Sequence, residues 1–367
     1  MNRRLTWIGM GALALASGAC LGVADERARR DEAVGQTQAE GISIRVEEGL
    51  ACVRALDARQ VRLWAQAPAF GLTVTRADSS VPLAIVVENA LADAALGLST
   101  GEALAPLPPE PADPSTLRRW RLDPSPALEV SLLLAPPDAG SREPFRFALY
   151  ADVQERIDDV QDIYRRMNLD PGVRFALMSG DLTDMGSAQQ LLRFQREMRT
   201  LTFPVYATLG NHELGAAGPP FHDLFGRGSF SFTFRGARFT LLDSGSATLA
   251  PLVHDWLDGW LAAGEPAFHL VATHIPPLDP IGTRNGAFAS RLEASALLAR
   301  LAAGGVDATI YGHVHSYYAF SNAGIPAYIS GGGGGIPERL DGIARHYLTI
   351  DVDPSTQRFQ VAVVRVD

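Results

Sequence analysis

The sequence predicts an α/β domain preceded by a small all-β domain, and three observations carry that expectation. From Phe145 onward, short apolar runs alternate with segments whose apolar residues recur at helical spacing. From Ile42 to about Arg142 the texture is that of strands alone. In the later region, polar residues able to bind metal or move protons fall just past the end of one apolar run after another.

The chain opens with an address. Arg3 and Arg4 are followed by an apolar or small run from Leu5 to Ala19, which is shorter than the ~20 residues a bilayer span needs. This is the layout of a secretory signal peptide over residues 1–20. Cys20 after Ser17-Gly18-Ala19 resembles the lipobox of bacterial lipoproteins, although Ser17 stands where Leu is usual. Two readings stay open: lipidation of Cys20, or plain cleavage near Ala19 or Ala24. A twin-arginine reading of Arg3-Arg4 is weaker, because Thr6 occupies a position expected to be apolar. The expectation is an exported protein of a bacterium, periplasmic or held at the membrane by a lipid anchor. Cys20 is then lipidated or lost, so Cys52 is left alone and no intrachain disulfide is expected. Residues 21–41 are polar and charged with no apolar period, and read as a flexible tether.

Residues 42–143 read as a β-sandwich-like domain. Ile42, Ile44 and Val46 alternate with Ser43 and Arg45; Val61, Leu63 and Ala65 alternate with Arg62, Trp64 and Gln66; Leu128, Val130 and Leu132 repeat the pattern. Pro106 to Pro114 is a loop or edge crossing. No histidine precedes residue 212, so a structural or docking role is expected here.

Residues 144–367 carry the chemistry. A strand from Phe145 to Ala151 runs into Asp152, and Ile157, Val160, Tyr164 and Met167 then mark a helix. A strand from Phe175 to Met178 runs into Gly180-Asp181. Ser187 with Gln190 reads as a capping box that opens a second helix, as does Ser290 with Glu293 further on, and Val205 to Leu209 leads into Gly210-Asn211-His212-Glu213. Phe230–Phe234 and Arg238–Leu242 read as a hairpin. Phe268 to Ala272 leads into His274, Ser290 with Glu293 opens a helix to about Ala303, and Ala308 to Tyr311 leads into Gly312-His313. In open α/β sheets, ligands bind beyond the carboxyl ends of strands. The strand ends therefore bring carboxylate, carboxylate, amide and two imidazoles to one rim, a donor set suited to Mn, Fe or Zn.

Ala151-Asp152-Val153-Gln154, Gly180-Asp181-Leu182-Thr183-Asp184, Gly210-Asn211-His212-Glu213, Thr273-His274 and Gly312-His313-Val314-His315 stand in this order. With these blocks, residues 145 to 350 resemble the calcineurin-like metallophosphoesterase superfamily, which includes purple acid phosphatases and cyclic-nucleotide phosphodiesterases. The resemblance implies a four-layer α/β/β/α sandwich, two divalent or trivalent metal ions and phosphoester hydrolysis by a hydroxide that bridges them. It implies that Asp181 bridges both ions, that Asp152 and His315 complete the first site, and that Asn211, His274 and His313 complete the second. His212 would sit beside the substrate as the acid for the leaving oxygen, with Glu213 orienting it. One departure is Gln154, which stands where the first block usually has His. Its amide is expected in or near the first site, ligating weakly or through a water. Purple acid phosphatases carry Tyr at the position of Asp184, so the ferric-tyrosinate chemistry of that branch is not implied.

Bulk properties narrow the partners. A net charge of -9 argues against tracking duplex nucleic acid, yet bound cations permit a small phosphorylated substrate. The chain contains no Lys, which excludes a Walker-type phosphate loop. His222, His254, His269 and His346 are expected to be structural, with His222 the one placed to overhang the site. Gly331–Gly335 is expected to be a tight backbone path beside the metals. Arg284 and Asn285 either touch substrate phosphate or lie in an exposed loop, and Tyr317 and Tyr318 either line the cleft or pack in the core. Monoester and diester substrates are equally open. The competing class is a catalytically silent, metal-binding surface lipoprotein that serves as a binding or assembly module. Gln154 favours that class; His212 and Glu213 favour the enzyme.

Overall fold

A computed structural model describes residues 23–100, 103–215, 218, 220–264, 266–282, 286–339 and 343–366. The expected signal peptide, Cys20, Arg284 and Asn285 lie outside the described residues.

Residues 23–33 form a helix, α1, which corrects the expected flexible tether over residues 21–41. The physical reason lies in its polar residues. Arg27 and Asp31 are both buried, and Arg27 binds Asp243, 216 positions away. Contacts of that kind leave no apolar period in a sequence.

The N-terminal strands are β1 (Gln36–Ala39), β2 (Ile42–Val46), β3 (Ala51–Asp57), β4 (Gln60–Ala65), β5 (Phe70–Arg76), β6 (Leu83–Glu88), β7 (Ala95–Ser99), β8 (Leu104–Pro106), β9 (Pro109–Glu110), β10 (Arg118–Leu122) and β11 (Glu129–Ala135). They form two sheets, ordered β1-β2-β5-β11-β7-β8 and β3-β4-β6-β10-β9. Alternate residues from both, among them Ile44, Val74, Ile85 and Leu132, meet in one buried cluster, as sandwich packing requires. The all-β region thus begins at Gln36, before the expected Ile42.

The remaining elements are β12 (Phe145–Tyr150), α2 (Gln161–Asn168), β13 (Val173–Ser179), α3 (Ala188–Met198), β14 (Val205–Thr208), α4 (Phe221–Leu224), β15 (Phe230–Phe234), β16 (Ala237–Leu242), α5 (Pro251–Ala262), β17 (Phe268–Thr273), α6 (Arg291–Ala303), β18 (Ala308–Tyr311), β19 (Tyr317–Asn322), β20 (Ile325–Ser330), β21 (His346–Asp353) and β22 (Arg358–Arg365). They form sheets ordered β14-β13-β12-β21-β22 and β15-β16-β17-β18-β20-β19. The strands alternate between two apolar environments. Phe147 meets Phe239 edge-on at 5.2 Å and Phe175 meets Phe232 at 6.0 Å, so aromatic rings fill the space between the sheets. The intervening residues Ala148, Ala176 and Met178 share a cluster with α2 and α3. Leu242 and Val271 share another with α5 and α6.

Two helix starts carry half of the expected capping box. Ser187 Oγ accepts from Gln190 N at 3.3 Å, and Ser290 Oγ accepts from Glu293 N at 3.2 Å. The return halves are absent. Gln190 Oε1 accepts instead from Met185 N at 2.9 Å, and Glu293 from Leu249 N at 2.8 Å, so each side chain ties its helix to a preceding loop.

The all-β region is docked on the second pair of sheets. Asn89 Oδ1 accepts from Val205 N at 2.9 Å and its Nδ2 donates to Val205 O at 2.8 Å, which satisfies the edge of β14 as a neighbouring strand would. Trp64 packs edge-on against Phe225 at 5.5 Å. Cys52 is a buried free thiol, pushed up to about 12 by burial and so unreactive.

Candidate metal centre

β12, β13 and β14 run parallel, and so do β16, β17, β18 and β20. Their carboxyl ends release Asp152, Asp181, Asn211, His274 and then His313 and His315, as expected from the order of strands. The turn out of each strand is sharp. Asp152, Gln154, Asp181 and His313 all have positive φ, at 62°, 48°, 52° and 68°. Non-glycine residues rarely hold this conformation, and such strain clusters at functional sites.

The side chains converge. Asp181 Oδ2 lies 3.2 Å from His274 Nε2, and Asn211 Oδ1 lies 3.0 Å from the same nitrogen. The ligating atoms of Asp181, His274 and His313 all fall within 4.8 Å of one another. On the other side, Asp152 Oδ1 is 3.4 Å from His315 Nε2. The Gln154 amide nitrogen stands between the two groups, 2.8 Å from Asp181 Oδ2 and 3.1 Å from His315 Nε2. A half-turn of the amide would present its oxygen at the same place. The unused imidazole nitrogens are held by the backbone, His274 Nδ1 at 2.9 Å from Ser179 O and His315 Nδ1 at 2.8 Å from Ile336 O. Such bonds orient a ligating histidine through its other nitrogen.

Glycine is required by closeness more than by dihedral freedom. A Cβ on Gly312 would lie 2.8 Å from Asp152 Oδ2, and one on Gly335 would lie 2.6 Å from His315 Cε1. Gly333 N donates to Ala151 O at 2.8 Å and Gly335 N to Asp152 O at 2.7 Å. The run Gly331–Gly335 is therefore the expected backbone path against the first loop.

The expected pairing of Glu213 with His212 is not what the structure contains. Glu213 is fully buried and accepts from Thr183 N at 3.0 Å, Thr183 Oγ1 at 3.1 Å and Gly210 N at 2.8 Å, so it ties the second and third blocks together. His212 Nδ1 instead lies 2.6 Å from Asp184 O. Neighbours on a tight helical turn point in different directions, which adjacency in sequence conceals. Thr183 and Asp184, both inside the second block, are thus the supports that sequence reasoning missed. The His212 side chain keeps 31% of its surface exposed, with Nε2 3.8 Å from Asp181 Oδ2.

The other histidines stand apart from the cluster. His222 does not overhang it; its Nε2 is buried 3.1 Å from Asp31 Oδ1. His254 meets Arg300, His269 meets Thr240, and His346 Nδ1 lies 2.9 Å from Ala344 O. Tyr317 is half-buried, its ring 6.1 Å from that of His346.

Burial alone would raise the Asp181 carboxyl, but the charge of His274, with help from His212, holds it below the ordinary carboxylate range. For His274, burial pulls down and Asp181 overrides it, raising the imidazole to about 9. Burial and the Asp181 charge push Glu213 up to about 7. Buried carboxylates here demand a nearby cation. A divalent ion meets that demand and leaves the imidazoles neutral, the form that ligates. The donor set therefore fits metal ions.

Residues 145–317 match the family model described as calcineurin-like phosphoesterase. Over this segment the chain is similar to that family. That family is one of phosphoester hydrolases that use divalent metals, and Asp181, His274 and His313 form a group that could hold such an ion. Among solved structures the chain is similar to PhoD, at 10% identity over 82% of this chain and 88% of that one, with a TM-score of 0.48. It is also similar to a dimetal phosphatase from Danio rerio, at 16% identity over 61% and 99% with a TM-score of 0.46. GAP50, described as the anchor in the inner membrane complex of Plasmodium, is similar at 15% identity over 61% and 89%, with a TM-score of 0.43. No curated protein matches the chain in sequence.

Proposed function

We propose that this chain is an exported phosphoesterase using two metal ions to hydrolyse small phosphomonoesters or phosphodiesters. The observation that carries it is the position of Asp181. One carboxylate oxygen faces both groups of donors, 3.2 Å from His274 Nε2 and 2.8 Å from the Gln154 amide. Asp152, Gln154 and His315 would hold one ion, Asn211, His274 and His313 the other, and Asp181 both. Bound metal ions of this kind neutralise phosphoryl oxygens and acidify water.

The chain's own residues supply the rest. Nδ1–H of His212 donates to the Asp184 carbonyl, which leaves Nε2 as the nitrogen that faces substrate. When charged, that nitrogen can deliver its proton to the departing oxygen. Glu213 keeps the second and third loops in register so that His212 and Asn211 project together.

Export is supported by the layout of residues 1–20. If Cys20 carries a lipid, the chain from Cys20 to the start of the docked α1 spans at most about 11 Å. The anchor would then hold this face near the bilayer, with no long leash.

The test uses an aryl phosphate and an aryl phosphodiester. Chelation should abolish hydrolysis and Mn should restore it. Undiminished turnover after thorough metal removal overturns the proposal. Metal uptake with no turnover of either substrate would favour the silent binding module.

A further inference from the structure

α1 packs against the loop that follows β16 and the start of β15. Arg27 Nε lies 2.6 Å from Asp243 Oδ2, and its Nη2 lies 3.1 Å from both Asp243 Oδ1 and Ser246 Oγ. The two charged side chains are 2% and 6% exposed. Asp243 follows β16, whose carboxyl end shares the rim with those of β17 and β18 because the three strands are parallel. Asp243 Oδ1 also accepts from Gly245 N at 2.9 Å. Gly245 packs on the third block; a Cβ there would stand 2.9 Å from Gly210 O and 3.0 Å from Leu209 Cδ1. The next residue after Gly210 is Asn211. One turn along α1, Asp31 accepts from the amides of Gly228 and Ser229 at 2.7 and 2.9 Å and secures the start of β15.

We propose that α1 is part of the working site and that Arg27 is a positioning residue for Asn211, acting through Asp243 and the Gly245–Gly210 contact. This rests on the metal-dependent reading above. Without the guanidinium, Asp243 is a buried carboxylate robbed of its partner, and its loop must open to water. Gly245 then leaves the Gly210 carbonyl, and Asn211 Oδ1 loses its place 3.0 Å from His274 Nε2. Asp152 and His315 belong to the other donor group, and that movement reaches them through Asp181, whose Oδ1 accepts from His212 N at 2.9 Å.

The full-length chain, Arg27→Ala and Arg27→Lys are titrated with Mn and followed by electron paramagnetic resonance, which separates isolated ions from a coupled pair. The wild type should take two ions and give the coupled signal. Arg27→Ala should weaken the second ion by at least about 10-fold and the first ion, which shares Asp181, by clearly less. Guanidinium ion below denaturing concentrations should restore the coupled signal, and urea should not. Arg27→Lys should recover part of it, since an ammonium supplies the charge without the two-pronged contact. If Arg27→Ala does not fold, Arg27→Lys carries the same comparison. A coupled signal at wild-type affinity in the variants overturns the role of Arg27. Equal weakening of both ions with no recovery by guanidinium also overturns it, because that marks general destabilisation. A wild type that binds no metal overturns instead the phosphoesterase reading on which this one rests.

Discussion

Gly210 and Asp181 occupy a space that admits no methyl group: a Cβ at residue 210 would lie 2.1 Å from Asp181 Oδ1 and 2.4 Å from the Asp181 amide nitrogen. The third loop thus sits directly on the carboxylate shared by both donor groups. Gly210→Ala must displace one or the other. We expect activity to fall by about 100-fold or more, the usual effect of misplacing catalytic groups by an ångström. Metal content should fall with it while the far-ultraviolet circular dichroism stays near wild type. A Gly210→Ala protein with normal metal content and rate would show that the loops yield without harm.

Glu213 and His212, adjacent in sequence, should separate cleanly in function. Glu213 accepts three hydrogen bonds, two from backbone amides and one from the Thr183 hydroxyl. Glu213→Gln sets an amide donor against one of these groups and should cost about 1–3 kcal/mol. Its melting temperature should drop. His212→Ala should melt as the wild type does and keep its metal, yet lose a factor of roughly 10²–10⁴ in kcat. Calorimetry and steady-state kinetics on the pair check this; an unchanged kcat in His212→Ala removes that residue from the reaction.

His269 gives the fold a pH dependence of its own. It is 2% exposed, with Nε2 2.9 Å from Thr240 Oγ1, and burial together with Arg238 lowers it to about 4. The unfolded chain has an ordinary imidazole. Above pH 6.5 both states are neutral and the stability is intact. As pH falls from there to about 4, only the unfolded state gains the proton, and roughly 3 kcal/mol is lost. His269→Gln should flatten this part of the profile. Denaturant midpoints at pH 7.5 and pH 4.5 should differ less in the variant; equal differences in both proteins would show that His269 does not carry the effect.

Much of this centre is legible because parallel strands buried on both faces read as near-continuous apolar runs, and a polar residue just past the end of each run is the one at the rim. Phe145–Tyr150 before Asp152 and Ala308–Tyr311 before His313 are such cases. The parts that escaped depend on contacts with no period. α1 was read as a tether because its buried anchors are Arg27 and Asp31, residues that ordinarily mark a solvated stretch. α5 opens with Pro251 at its first turn, a recognisable start, but Gly259 and paired tryptophans blur its apolar face. β21, an interior strand between β12 and β22, lies beyond the glycine run where the motifs stop. Glu213 departs from the role that the resemblance implies because its carboxylate turns to Thr183 and Gly210, contacts that leave no mark in the sequence.

The central claim is that separate loops converge on two metal ions, and anomalous diffraction from crystals soaked in Mn addresses it most directly. Two anomalous peaks about 3.5–4 Å apart are expected. One should lie among Asp181, Asn211, His274 and His313, and the other among Asp152, Asp181 and His315. A single peak, or peaks on any other part of the molecule, would contradict the account.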